Sequence, residues 1–322
     1  MADVALGIDS NFGFGEEGIY GTRVVPSQFL PITSESLQLN QTFTPINVLG
    51  AAYDEYYVDG KRSVAGSVEF GAIYGKQFGT LLKHALGDVT SVSAGGITTH
   101  SIKPSGTILT GLSLYVDRDA NTVGTAYSYN GCQVSKLSLT QEAEQTLNAN
   151  VEFMGKDETE VSYVAPTIAR TEFIDWTDFS SNITISGVAA AFCAKSFALN
   201  INNALASDRY CLGSKLKTSQ GLGGKRTIDG SFTVEFTDKS QYQYFRNGNE
   251  LSGVFSWTGP SVSGLASVYS FSVDIPRMKV GGTTPNIAGP DAISLEIPFT
   301  AYYQSGMNYP LKATLVNTNS TL

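Results

Sequence analysis

The chain has 322 residues, a formal net charge of −8 and 16% charged side chains, well below the roughly 25% of typical soluble proteins. The acidic balance argues against a nucleic-acid partner held by phosphate contacts. The start, Met1-Ala2-Asp3-Val4, has no basic and apolar leader pattern, and the longest apolar run, Val188 to Phe192, falls far short of the roughly 18 residues that cross a membrane.

In chain order, Met1 to Ile32 reads as a glycine-rich N-terminal arm. Within it, Gly13-Phe14-Gly15-Glu16-Glu17-Gly18 matches a dinucleotide-binding pattern literally. Two acids would face the pyrophosphate and no helix follows, so the context excludes that chemistry. Ser36-Leu37-Gln38-Leu39-Asn40 alternates apolar and polar residues, as a half-buried strand does. A long structureless loop follows, Gln41 to Gly60, carrying Tyr53, Tyr56 and Tyr57; loops of that length are usually functional, and tyrosines favour interfaces. A second strand leads through Val68-Glu69-Phe70 to a helix over Tyr74 to Leu86, where Phe78, Leu81, Leu82 and Leu86 recur at helical spacing. Asp88 to Pro104, rich in Gly, Ser and Thr, reads as a loop insertion. Strands over Ile108 to Val116 and Gln133 to Thr140 complete the first half.

The second half repeats the first. Gly60-Lys61-Arg62-Ser63-Val64-Ala65-Gly66-Ser67 returns 164 residues later as Gly224-Lys225-Arg226-Thr227-Ile228-Asp229-Gly230-Ser231, with five of eight positions identical. That period is too long for a solenoid or propeller unit and fits a whole domain. Ser196 to Asn202 corresponds to the first strand, Asn203 to Gly224 to the long loop, and Phe232 to Phe236 to the second strand; Glu69 and Glu235 take equivalent places. A helix over Asp238 to Arg246 and strands over Val254 to Thr258 and Tyr269 to Val280 follow. The chain is therefore expected to hold two tandem β domains, 1–165 and 166–322, the second ending in a tail over 312–322.

No catalytic kit emerges. Gly223-Gly224-Lys225-Arg226-Thr227 resembles the end of a phosphate-binding loop, but Ser219 replaces its first glycine, Arg226 its magnesium-binding hydroxyl, and a strand follows. His84 and His100, the only histidines, read as surface residues with no nucleophile or metal-spaced partner. Cys132, Cys193 and Cys211 read as free buried thiols. No enzyme, cofactor or metal is expected. A glycosidase carboxylate pair and a carbohydrate-binding or adhesin module displaying Trp176 and Trp257 are the alternatives. Trp257 lies in a strand pattern that makes it core.

The segment Glu17-Gly18-Ile19-Tyr20-Gly21-Thr22, then Pro26, Phe29-Leu30-Pro31 and Ser34-Glu35-Ser36-Leu37 resembles the start of the tail tube proteins of long-tailed bacteriophages, in particular the two-domain type. The resemblance continues through Gly66-Ser67, Ala85-Leu86-Gly87, Asn200-Ile201-Asn202-Asn203 and Arg226 to Gly230. It closes at Thr284-Pro285-Asn286, Ala288-Gly289-Pro290-Asp291 and Phe299-Thr300-Ala301.

It implies a mainly β fold: two tail-tube-like β-sandwich domains, each with a short helix and a long hairpin loop, joined side by side into a ring around a central β-barrel. Stacked rings would form the conduit for genome delivery. The implied partners are other copies of the chain, the tape measure, tail terminator and baseplate proteins, and DNA in transit without specific binding. The implied location is the virion tail, assembled in the host cytoplasm with no membrane. Two domains per chain let three chains make a ring of pseudo-sixfold symmetry. The channel would be faced by Gln38, Asn40, Ser67 and Glu69 in the first copy and Asn200, Asn202, Ser231 and Glu235 in the second, without Lys or Arg. Both long loops, Gln41 to Gly60 with its tyrosines and Asn203 to Gly224, would reach across to the neighbouring domain or the next ring. The N-terminal arm and the tail after Lys312 would add inter-ring contacts.

Overall fold

A computed structural model of the protein describes residues 5–50, 52–118, 125–168, 172–185, 188–190, 194–235, 243, 246–281 and 293–322. Its first-half elements are β1 (Asn11–Glu16), β2 (Gln28–Leu30), β3 (Ser34–Glu35), β4 (Gln38–Ile46), β5 (Tyr56–Gly71), helix α1 (Lys76–Leu86), β6 (Gly87–Ala94), β7 (Ile97–Pro104), β8 (Leu112–Asp117), β9 (Ala126–Glu142), β10 (Asn148–Gly155) and β11 (Asp157–Val161). The second half holds β12 (Phe179–Ile185), β13 (Val188–Ala190), β14 (Ala194–Asn202), β15 (Thr227–Glu235), β16 (Glu250–Ser261), β17 (Val268–Val280), β18 (Ser294–Ala301) and β19 (Lys312–Asn317).

One long antiparallel sheet runs through both halves in the order β4–β5–β10–β9–β14–β15–β18–β17. Halfway along, first-half β9 pairs directly with second-half β14, Leu139 opposite Leu199 and Lys136 opposite Asn202. The strand β9 bends after its first turn of chain: Ala126 to Asn130 pair with β8 and β11 in a second sheet, and Gln133 onward joins the long one. Gly131, at φ 65°, sits at the bend. A cover sheet β2–β1–β8–β9–β11 lies in the first half, and β13–β12–β16–β17–β19 follows the same pairing order in the second.

The Gly-Lys-Arg repeat falls on matching places. Gly66 of β5 lies opposite Phe153 and Gly230 of β15 opposite Phe299. A Cβ at Gly66, whose φ is 151°, would press into the Ser36 carbonyl, and one at Gly230 into the Ala198 carbonyl. Only glycine allows so close a backbone approach. Counted from these glycines, Glu69 corresponds to Thr233 rather than to Glu235. The two glutamates lie on the same face because their positions differ by an even number.

The core lies between the long sheet and its covers. Alternate residues Val64, Val68 and Phe70 of β5, and Phe232 and Val234 of β15, are buried, as the period-two pattern requires. Helix α1 packs under both halves: the Phe78 ring lies 6.3 Å from Phe70 and 5.3 Å from Phe271, edge-on to each. Aromatic residues fill the second half, with Phe197 4.5 Å from Phe255 and Trp257 stacked on Phe271 at 5.3 Å. Trp257 is fully buried, as its strand pattern predicts.

Several expectations are corrected. Asp88 to Pro104 is no loop but the hairpin β6–β7, and β7 pairs with β19 of the second half, Leu315 opposite His100. A partner strand about 200 residues away supplies the backbone hydrogen bonds that the Gly/Ser/Thr composition does not suggest. The N-terminal segment is not an arm from Asn11 onward. It forms β1, paired with β2 and β8, with Phe12 and Phe14 buried. The C-terminal tail is strand β19, after which Leu322 packs against Gly79 of α1. Of Asp238 to Arg246 only Gln243 and Arg246 are described; Cys193 and the motif over 284–291 lie outside the described residues.

Candidate functional site

The two faces of the long sheet differ sharply. One is apolar and buried. The other carries, by direct cross-strand register, Gln38 opposite Ala65, Ser67 opposite Glu152, Glu69 opposite Asn150, Asn150 opposite Ser138, Ser138 opposite Asn200 and Asn200 opposite Asp229. Ser231 faces Pro298, and Glu235 faces Ser294. Gln38, Asn40, Ser67, Glu69, Asn200, Asn202, Ser231 and Glu235 are half-buried or exposed and lie on this polar side of the sheet.

Short polar contacts hold this surface in order. Glu69 accepts hydrogen bonds from Asn148 Nδ2 at 2.6 Å and Ser34 Oγ at 3.2 Å. Ser138 Oγ donates to Asn200 Oδ1 at 2.8 Å, and Asn200 Nδ2 to Asp229 Oδ2 at 3.3 Å. This chain of bonds crosses the β9–β14 seam between the halves. The expectation that the face lacks lysine is corrected: Lys136 pairs with Glu152 at 3.5 Å, and Lys195, looped out at a bulge in β14, reaches Glu235 at 2.9 Å. Lys136 and Lys195 are thus committed to acids, whereas Lys279, opposite Thr300 on the same face, donates to the Gly248 carbonyl; Glu69, Glu142, Asp229 and Glu296 add negative charge. Sequence reasoning missed Glu142, Glu152 and Glu296 because their strands lie outside the repeat; the alternating polarity of β10 and β18 was the available signal.

The segment Gln41 to Gly60 is no structureless loop. Its ends zip together as Phe43 opposite Asp59, Thr44 opposite Val58 and Ile46 opposite Tyr56, after a bulge at Gln41/Phe43. The result is a projecting β-hairpin. Tyr53 is 87% exposed, and Phe43, Tyr56, Tyr57 and Leu49 are also exposed. Phe43 and Tyr57 meet edge to face at 6.0 Å on its surface. The hairpin thus concentrates exposed apolar and aromatic side chains, a composition that interaction surfaces favour. The outer edge of β4 beyond the hairpin has no strand partner among the described residues, an open edge that invites pairing.

The second long loop, Asn203 to Gly224, behaves differently. It crosses the seam and lies on the first half. Tyr210 Oη donates to the Arg62 carbonyl at 2.9 Å, and Arg62 N donates to the Lys215 carbonyl at 2.9 Å. Lys61 sits over the Tyr210 ring at 4.9 Å, and Gln220 Nε2 donates to Met154 Sδ at 3.4 Å. Lys217 is buried within this contact, and burial pushes its ammonium below the usual lysine range.

The remaining polar residues are structural. Neither histidine is a surface residue. His84 Nε2 is 2.9 Å from Glu16 Oε1, which also accepts from Lys83 Nζ at 2.7 Å. Burial pushes the Glu16 carboxyl up, but these hydrogen bonds outweigh it and bring it down to about 2. His100 is fully buried, bonded to Ser91 Oγ at 2.7 Å through Nδ1 and close to Asn317 Oδ1 at 3.1 Å through Nε2. Glu17, in the dinucleotide-like stretch, is buried and clamps the backbone, accepting from Gly21 N at 2.6 Å, Gly131 N at 2.7 Å and Ser113 Oγ at 2.9 Å. Cys132 is buried as expected, and burial raises its thiol; Cys211 is exposed, contrary to expectation. Trp176 stands partly exposed between the halves and has no tryptophan at an equivalent place in the first half. No helix among the described residues is long and apolar enough to cross a membrane.

The fold thus presents a continuous polar sheet face, an open sheet edge and an exposed aromatic hairpin, all features of a chain that assembles. The sequence profile of a family described as phage tail tube protein matches residues 7–301. No curated protein matches the chain. The match spans nearly the whole length, both halves included, and the chain belongs to the phage tail tube protein family, a structural component of the virion tail.

Proposed function

We propose that three copies of this chain close a ring, each contributing two tube domains, 1–165 and 166–322, with the polar face of the long sheet lining the channel. The single observation that supports this best is the β9–β14 seam. Inside one chain, the last strand of the first half's sheet pairs with the first strand of the second. Both halves share this strand order, and in this reading the stretch over 282–292, which lies outside the described residues, meets β4 of the next copy as β9 meets β14. Heterologous contacts of this kind close when the rotation is right, and closure removes the open edges.

In this reading Gln38, Asn40, Ser67, Glu69, Asn200, Asn202, Ser231 and Glu235 face the passing genome. Excess carboxylates repel phosphate, and the amides and hydroxyls offer it no fixed charge partner. The hairpin bearing Tyr53, Tyr56 and Tyr57 makes contacts between copies. The rings stack into a tube that ends at tape measure, terminator and baseplate proteins, and the role is structural rather than catalytic. Negative-stain microscopy of the purified chain tests the reading: rings and tubes are expected, and a monodisperse monomer at high concentration would count against it.

A further inference from the structure

Arg62 and Arg226 are repeat equivalents, and so are Lys61 and Lys225. Around the first pair, the loop over 203–224 fills the end of the sheet, with Tyr210 under Lys61 and its hydroxyl on the Arg62 carbonyl. Around the second pair, the same place is an open groove of about 450 Å³. Its walls include Lys225, Arg226, Thr300, Tyr302 and Tyr303, and Thr300 stands where Met154 stands in the first half. Tyr302 and Tyr303 are about half exposed.

We infer that this groove is the receptor for the 47–58 hairpin tip of a neighbouring copy in the same ring. Three observations converge on that occupant. The filled groove is covered by the loop that joins β14 to β15, whose Lys215 also reaches Asp59 at the base of the β4–β5 hairpin. The described residues of that hairpin's tip, 47–50 and 52–58, make no side-chain hydrogen bond, ion pair or ring contact with described residues outside the hairpin. The hairpin is rich in exposed tyrosine, and the filled groove holds a tyrosine beneath a lysine. The step from β9 to β14 moves a loop from its own half onto the preceding one, so the next copy's hairpin falls over β15 and β18. A hairpin tyrosine therefore stacks beneath Lys225 as Tyr210 does beneath Lys61, a cation–π contact.

The inference rests on the ring reading above, and the experiment separates the two. In a Cys211→Ser background, full-length chains carrying Tyr53→Cys are mixed with chains carrying Tyr303→Cys and treated with a short bismaleimide. Dimers containing one of each variant are expected in single rings. Rings without that cross-link, or a cross-link that appears only after rings stack, would overturn the groove assignment and leave the ring intact. Failure of the wild-type chain to form rings at all would remove both. As a second measurement, Lys225→Glu is expected to leave the monomer's melting temperature unchanged and raise the concentration needed for ring formation at least tenfold; assembly at the wild-type concentration would contradict the proposal.

Discussion

The indole Nε1 of Trp257 donates a hydrogen bond to Gln141 Oε1 at 3.2 Å, with both side chains buried. Trp257 belongs to the second half's cover sheet and Gln141 to the end of β9, so the bond ties the halves together beneath the seam. Gln141→Leu leaves the indole N–H without its partner, a loss of roughly 1–3 kcal/mol. Calorimetry is expected to show one lowered transition for the whole chain. Two transitions, with only one displaced, would mean that the halves unfold independently.

Phe78 joins the halves through hydrocarbon rather than a hydrogen bond, its ring between Phe70 and Phe271. Phe78→Ala is expected to cost about 3–5 kcal/mol, read as a shift in denaturation midpoint. An effect confined to the first half, followed by site-specific fluorescence, would contradict its bridging position.

The repeat glycines give a matched pair. Gly66→Ala and Gly230→Ala each drive a Cβ into the carbonyl of the adjoining strand, and each is expected to cost at least about 2 kcal/mol by crowding and strain. Gly66→Ala adds a positive φ and is expected to be the worse of the two. Negligible losses would show that the close approach relaxes without cost, and equal losses that the φ of Gly66 adds nothing to the crowding.

Glu16 sets an acid limit. Its folded carboxyl titrates at about 2, below its unfolded value of 4.5, so its contribution is fully present above pH 4.5 and is lost as the pH falls toward 2. Because the group is partly exposed, screening reduces this contribution to about 1 kcal/mol. Glu16→Gln is expected to flatten the fall in melting temperature across that window. An unchanged slope would place the acid sensitivity elsewhere.

Sequence and structure agree where pattern and pairing are both local. Ser36 to Asn40 and Ser196 to Asn202 alternate cleanly and form the strands expected, and Lys76–Leu86 forms the helix its apolar spacing predicts. The repeat exposed the shared face because equal spacing preserves side-chain direction. What stayed hidden depends on distant partners. His100 is buried because β7 pairs with β19, and nothing near it in the chain announces that strand. The glycines over 13–18 suggested flexibility, yet β8 stitches them into a sheet, and Phe12 and Phe14, two apart and both buried, were the signal to weigh more heavily. The hairpin's pairing was hidden by its exposure, since neither face shows the burial alternation that marks an ordinary strand.

The most direct test is a cryo-electron microscopy reconstruction of the assembled tube at side-chain resolution. Three chains per ring are expected, with Glu69, Asn200 and Glu235 pointing into the channel and the β9–β14 pairing repeated at every junction between copies. A ring of six chains, or those side chains turned outward into the tube wall, would contradict it.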